Sequence, residues 1–198
     1  MQTPTHIPRQ RADMTNLAVE TKDLCRRFGA LEAVRSATLC VEAGQFFGFL
    51  GPNGAGKSTT IKMLTGLLEP SAGRIRILGL DLASNPIELK RQIGVVPEGL
   101  ALFDRLTGPE HLNFAGRMYG LDRATAAERA RELLDFMGLA DRAASLIVDY
   151  SHGMKKKLAM AAAVIHGPKV LFLDEPFEGV DAIAAGAIKA MLSRLEAA

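Results

Sequence analysis

GPNGAGKS at 51–58 decides how this chain is read. It fits the pattern of a glycine, four residues, a second glycine, a lysine and a serine or threonine. It stands directly after an apolar run, FFGFL at 46–50, and directly before a segment with helical periodicity. Glycines at this spacing let the backbone turn N–H groups toward an anion, and the helix that follows adds about half a positive charge at its N-terminus. Lys57 brings a full charge to the β and γ phosphates of a nucleotide, and Ser58 offers a hydroxyl to Mg²⁺. The expected phosphate-binding residues are Gly51, Pro52, Asn53, Gly54, Ala55, Gly56, Lys57, Ser58 and Thr59.

Outward from the loop, short apolar or alternating runs at 17–20, 37–41, 46–50 and 74–78 read as strands. Ile61, Leu64 and Leu68 keep the spacing of one buried helix face from Lys57 onward, and PSAG at 70–73 ends that element. IGVV at 93–96 and VLFL at 170–173 are continuous apolar runs, the pattern of parallel strands covered on both faces. Between them TGPE at 107–110 is a capping box with proline in the first turn, opening a helix to about Tyr119. Further helices are expected at 124–137 and 151–166, the last closed by Gly167 and Pro168. The pattern predicts an α/β fold of the P-loop type, with a mainly parallel core sheet and a helical insert at about 99–166.

The second chemical feature is VLFLDE at 170–175, an apolar strand ending in two adjacent carboxylates. Such a pair is costly there unless a cation or a reacting water is held beside it. Asp174 suits the Mg²⁺ side, and Glu175 suits a water aimed at the γ-phosphate.

Composition narrows the class of partner. The 198 residues are 48% hydrophobic and 23% charged, and 24 basic against 22 acidic side chains leave too small an excess to argue for nucleic acid. Cys25 and Cys40 are expected to be reduced and partly buried. Residues 1–16 read as a disordered tail, and no run approaches the roughly 20 apolar residues of a membrane helix. No Asn-Lys-x-Asp base-reading motif occurs, which argues against a GTPase. A cytoplasmic compartment is expected.

With the order of these motifs in view, the chain from Leu17 onward resembles the nucleotide-binding domain of the ATP-binding cassette family. The resemblance implies an antiparallel β-subdomain beside the core, ATP and Mg²⁺ as ligands, a second nucleotide-binding domain as homo- or heterodimer partner, and separate integral membrane permease subunits. It places the domain peripherally on the inner face of the cell membrane and expects no nucleic acid. YSHGM at 150–154 stands where the family carries its signature, 23 residues before Asp174. Ser151 and Gly153 match and are implied to meet a nucleotide held by the opposite subunit, while His152 and Met154 depart from the usual glycine and glutamine. Phe28 occupies the place of the aromatic that stacks on adenine. Glu98 replaces the usual glutamine, both a metal ligand and part of the catalytic set, and adds negative charge near Asp174 and Glu175. Asp181 matches the aspartate of the loop crossing between subunits, and independently reads as a helix N-cap. Lys155, Lys156 and Lys157 read as a solvated helix face. The family also carries a further strand with a histidine after the last helix. None of the four histidines follows Asp181, so the domain is expected to be incomplete at its C-terminus.

The implied function is ATP hydrolysis coupled to transport, of exporter type, through ATP-dependent dimer closure. Two alternatives accompany it: an ATP-binding module with little or no turnover, and a non-transport relative. Lys57 and Ser151 stand 94 positions apart, too close for the long coiled-coil insertion typical of the latter.

Overall fold

A computed structural model of the chain describes residues 16–52 and 54–196. The tail expected at 1–16, apart from Asn16, and Asn53 of the phosphate loop lie outside them. Strands β1 (Leu17–Phe28) and β2 (Leu31–Glu42) form an antiparallel hairpin, paired from Leu17↔Glu42 to Phe28↔Leu31 and turned at Gly29 with φ 57°. Both run further than the apolar runs suggest. In β1, Val19, Thr21 and Leu24 are buried while Lys22, Asp23 and Arg27 are exposed, so the strand continues through KDLCRR with its charges outward. β3 (Ala72–Ile77) pairs with the other edge of β1, and the short β4 (Leu80–Asp81) completes a sheet of order β2-β1-β3-β4. Of the two free cysteines, Cys25 is partly buried but Cys40 is exposed, because alternate residues of β2 face solvent.

β5 (Ile93–Val96) and β6 (Val170–Leu173) are parallel and in register from Ile93↔Val170 to Val96↔Leu173. Their side chains alternate between two cores. Ile93 and Phe172 join the core beneath the antiparallel sheet and helix α1 (Lys57–Leu64), together with Leu24, Met63 and Ile77. Val96 belongs to the helical core, and Leu171 and Leu173 pack against it. This two-sided burial is why the strands read as unbroken apolar runs. Gly94 makes the packing close, since a Cβ there would collide with the Ala163 carbonyl and lie 2.8 Å from Leu171 Cδ1.

The helical core is built by α3 (Gly108–Met118), α4 (Arg123–Phe136), α5 (His152–Val164) and α6 (Ala182–Glu196). Thr107 forms the expected capping box with Glu110, whose carboxylate accepts from the Thr107 N–H at 2.8 Å. A further helix, α2 (Pro86–Gln92), has no counterpart in the sequence reading, although Asn85 followed by proline is a start signal.

The strand expected at 46–50 does not form. Among the described residues β6 is bonded only to β5, and a cavity of about 310 Å³ separates β6 from Phe46, Phe47 and Phe49, with Leu192 and Leu195 of α6 on its wall. Without a neighbour to complete its backbone hydrogen bonds, the apolar run stays irregular and Leu50 is 98% exposed.

Candidate nucleotide site

The loop ahead of α1 owes its shape to Gly56. Its φ is 84°, a left-handed conformation that side chains resist, and a Cβ there would stand 2.5 Å from the Ala33 carbonyl oxygen. The loop is thereby pressed against β2. Ala55 N–H donates to Pro52 O at 3.2 Å, and the Thr60 hydroxyl donates to Gly56 O at 2.8 Å. From the start of α1, Lys57 Nζ donates to Gly51 O at 2.8 Å and lies 3.3 Å from Glu175 Oε1. Ser58 Oγ donates to Asp174 Oδ1 at 3.1 Å. Two motifs more than a hundred residues apart in sequence thus meet through two adjacent side-chain pairs.

Asp174 is 3% exposed at the end of β6, while Glu175 is exposed and sits at φ 48°. Between Glu175 and the loop lies a cavity of about 590 Å³, within the roughly 300–1,000 Å³ usual for small-molecule sites; Asp174 reaches its edge only through Ser58. Gly54, Gly56, Lys57, Ser58 and Thr59 line one side, Glu98, Glu175 and Glu178 the other, and Phe28, Leu31 and Ala33 form an apolar wall. Phe28 is 46% exposed, with the Arg26 guanidinium 4.5 Å from its ring centroid. Glu178, Leu31 and Ala33 are absent from the sequence-derived site; no pattern marks them, since only the fold brings the hairpin and the turn after β6 to this mouth.

The oxygen donors of Ser58 and Asp174 fit Mg²⁺, a hard cation that takes few protein ligands and keeps waters and phosphate oxygens. Among the described residues no group of three or more His, Cys, Asp or Glu is arranged to hold a metal by itself.

Ser151, Gly153 and Asp181 do not line this cavity. They form a second cluster where α5 meets α6. Ser151 caps α5, its Oγ accepting from Met154 N at 3.2 Å, and Asp181 caps α6, its Oδ1 accepting from Ala184 N at 2.8 Å. A Cβ on Gly153 would lie 3.3 Å from Asp181 Oδ2 and 3.2 Å from Ala184 Cβ, so only glycine fits this crossing without displacement. The departing residues turn into their own chain. His152 Nε2 is 3.3 Å from Glu178 O, and Met154 packs on the helical core.

The three lysines are not a solvated face. Lys155 is partly exposed and pairs with Asp104 at 3.1 Å, but Lys156 and Lys157 are 2% and 8% exposed. Lys156 Nζ donates to Glu175 O at 2.8 Å, and Lys157 Nζ to Gly138 O at 3.5 Å. Burial pushes the Lys157 pKa down, opposed by the nearby Asp181 carboxylate. Ser151 and His152 at the start of α5 are exposed, but the apolar run from Leu158 to Val164 is almost wholly buried, and Lys156 and Lys157 just ahead of it are enclosed with it.

A family model described as ABC transporter matches residues 34–178, a span holding the phosphate loop, the 150–154 stretch and both carboxylates. The chain belongs to the ABC transporter family. It is 39% identical over 163 residues to the linearmycin resistance ATP-binding protein LnrL of Bacillus subtilis, covering 82% of this chain and 52% of that one. It is 44% identical over 164 residues to the daunorubicin/doxorubicin resistance ATP-binding protein DrrA of Streptomyces peucetius, covering 83% and 50%. The chain thus spans about half the length of these curated relatives. A solved ATP-binding subunit of an ABC transporter superposes with a TM-score of 0.82 at 37% identity, covering 91% of this chain and 75% of that one. The ABC ATPase fold expected from the sequence, an α/β P-loop domain with an antiparallel subdomain sheet, is therefore the fold observed.

Proposed function

We propose that the chain binds and hydrolyses MgATP and, paired head to tail with a second ABC cassette, drives an exporter-type ABC transporter through closure of the dimer. The observation that carries this is that Lys57, Ser58 and Glu175 line one 590 Å³ cavity, with Lys57 paired to Glu175 and Ser58 hydrogen-bonded to Asp174 behind it. In this reading the loop N–H groups and Lys57 hold the phosphates, and Ser58, Asp174 and Glu98 hold Mg²⁺. The ion, when bound, neutralises charge on the β and γ phosphates. Phe28 offers a face to the adenine ring. Once a γ-phosphate engages Lys57, Glu175 exchanges its lysine partner for a water and takes the water's proton as its oxygen attacks phosphorus. The bond to the β-phosphate oxygen then breaks and ADP leaves.

Ser151 and Gly153 serve the partner's nucleotide, presenting the N-terminus of α5, and Asp181 lies beside that contact. Membrane permease subunits at the inner face of the cell membrane receive the closure near Glu98. No described helix is long and apolar enough to cross a membrane. Two relatives are named for drug or antibiotic resistance, and those names support export. Phosphate release from MgATP is the test. Glu175→Gln should lower turnover by at least about 100-fold while preserving ATP-dependent dimers, and adding Ser151→Arg should abolish those dimers. Absence of release above background from the unaltered chain would favour the binding-module reading.

A further inference from the structure

Glu175 is held in a conformation that its own chemistry does not favour. Its φ of 48° lies in the left-handed region, which a residue with a long side chain populates sparsely. Such a residue persists where its surroundings over-determine it. Here the Glu175 carbonyl oxygen accepts two hydrogen bonds, from Glu178 N at 3.2 Å within the turn and from Lys156 Nζ at 2.8 Å across from α5. The second is charge-assisted and enclosed, because Lys156 is 2% exposed. His152 adds a neighbouring contact to the same turn, its Nε2 3.3 Å from Glu178 O. The helix that begins at Ser151 is thereby tied within one chain to the peptide bearing the carboxylate.

We propose that Lys156 is a positioning residue for Glu175: its ammonium fixes the 175 peptide so that the carboxylate points at the water beside the γ-phosphate. The proposal rests on the hydrolytic reading above and deepens it. Lys156 does not line the cavity; it acts on the reaction through the Glu175 backbone. Occupation of the α5 N-terminus by a partner's nucleotide would reach the carboxylate by the same route.

The test compares Lys156→Met, which keeps the length and packing but removes the donor, with Lys156→Gln, which returns an uncharged donor. With the full chain, Lys156→Met should lower kcat for MgATP about tenfold with KM changed less than about twofold, the signature of an interaction that matters in the transition state. Amide exchange in the peptide covering 174–179 should quicken by about tenfold, with α1 unchanged. Lys156→Gln should recover at least about half of the lost kcat and slow that exchange again. An unaltered kcat or unaltered exchange in Lys156→Met would overturn the proposal. So would failure of Lys156→Gln to restore them, or a loss of nucleotide affinity and of exchange protection across the whole domain. If the unaltered chain shows no turnover, the hydrolytic reading falls, while the exchange comparison still decides whether Lys156 orders the 175 peptide.

Discussion

Gly56 carries two constraints at once, a positive φ and a missing Cβ that would otherwise meet the Ala33 carbonyl at 2.5 Å. Gly56→Ala should therefore cost about 1–3 kcal/mol of stability, the range for a strained backbone. It should also weaken ATP binding more than tenfold, because the loop would lift from β2; denaturant titration and nucleotide titration check the two effects. A stable variant with ordinary affinity would show that the loop adapts. The loop that holds Gly51, Lys57 and Ser58 was legible in the sequence because its pattern is local, a contiguous run between an apolar stretch and a helix. Lys156 and Lys157 were not. Their charge says surface, and only the enclosure of α5 by its neighbours reverses that. Cys40 errs in the opposite sense, an apolar side chain left on the open face of β2.

The capped helix starts behave as their residues require. Ser151 accepts from Met154 N and Asp122 from Thr125 N, each relieving one orphan donor of a helix N-terminus. Replacing Ser151 by alanine should cost about 1 kcal/mol in equilibrium unfolding, as for N-caps in general, and should leave the fold otherwise intact. A loss near zero would mean that water serves the Met154 N–H equally well. Elements set by neighbours were harder to read. β1 extends to Phe28 because it has β2 on one edge and β3 on the other, so pairing carries it through a charged stretch. At 46–50 the opposite holds, a strongly apolar run without a described partner strand. The short α2 escaped because its seven residues hold too few turns to show a period.

Across the whole molecule, His166 stacks on Tyr119 with ring centroids 3.7 Å apart, and its Nε2 lies 3.1 Å from Ile93 O, joining the helical core to the base of β5. Burial holds its pKa below the ordinary 6.5, with Arg129 adding to the effect against the Ile93 carbonyl, and burial lowers that of His111 as well. Between the folded and unfolded pKa values the unfolded chain binds more protons, so stability is fully present above about 6.5 and is lost as pH falls through the folded values. Melting temperature should decline from neutral pH into the acid side of that window, and His166→Phe, which keeps a ring against Tyr119, should flatten the decline. An unchanged slope in that variant would remove His166 from the account.

Read residue by residue, the chain already contained the glycine-rich loop, the acidic strand end, the capped helices and the family to which they belong. Each is a contiguous pattern whose physics acts within a turn or a strand. Three-dimensional packing decided what contiguity cannot: that Ser58 meets Asp174 and Lys57 meets Glu175, that Glu178 and Leu31 share their cavity, and that two lysines of α5 lie inside. Burial and long-range contact depend on which surfaces face each other, and that is a property of the assembled cores.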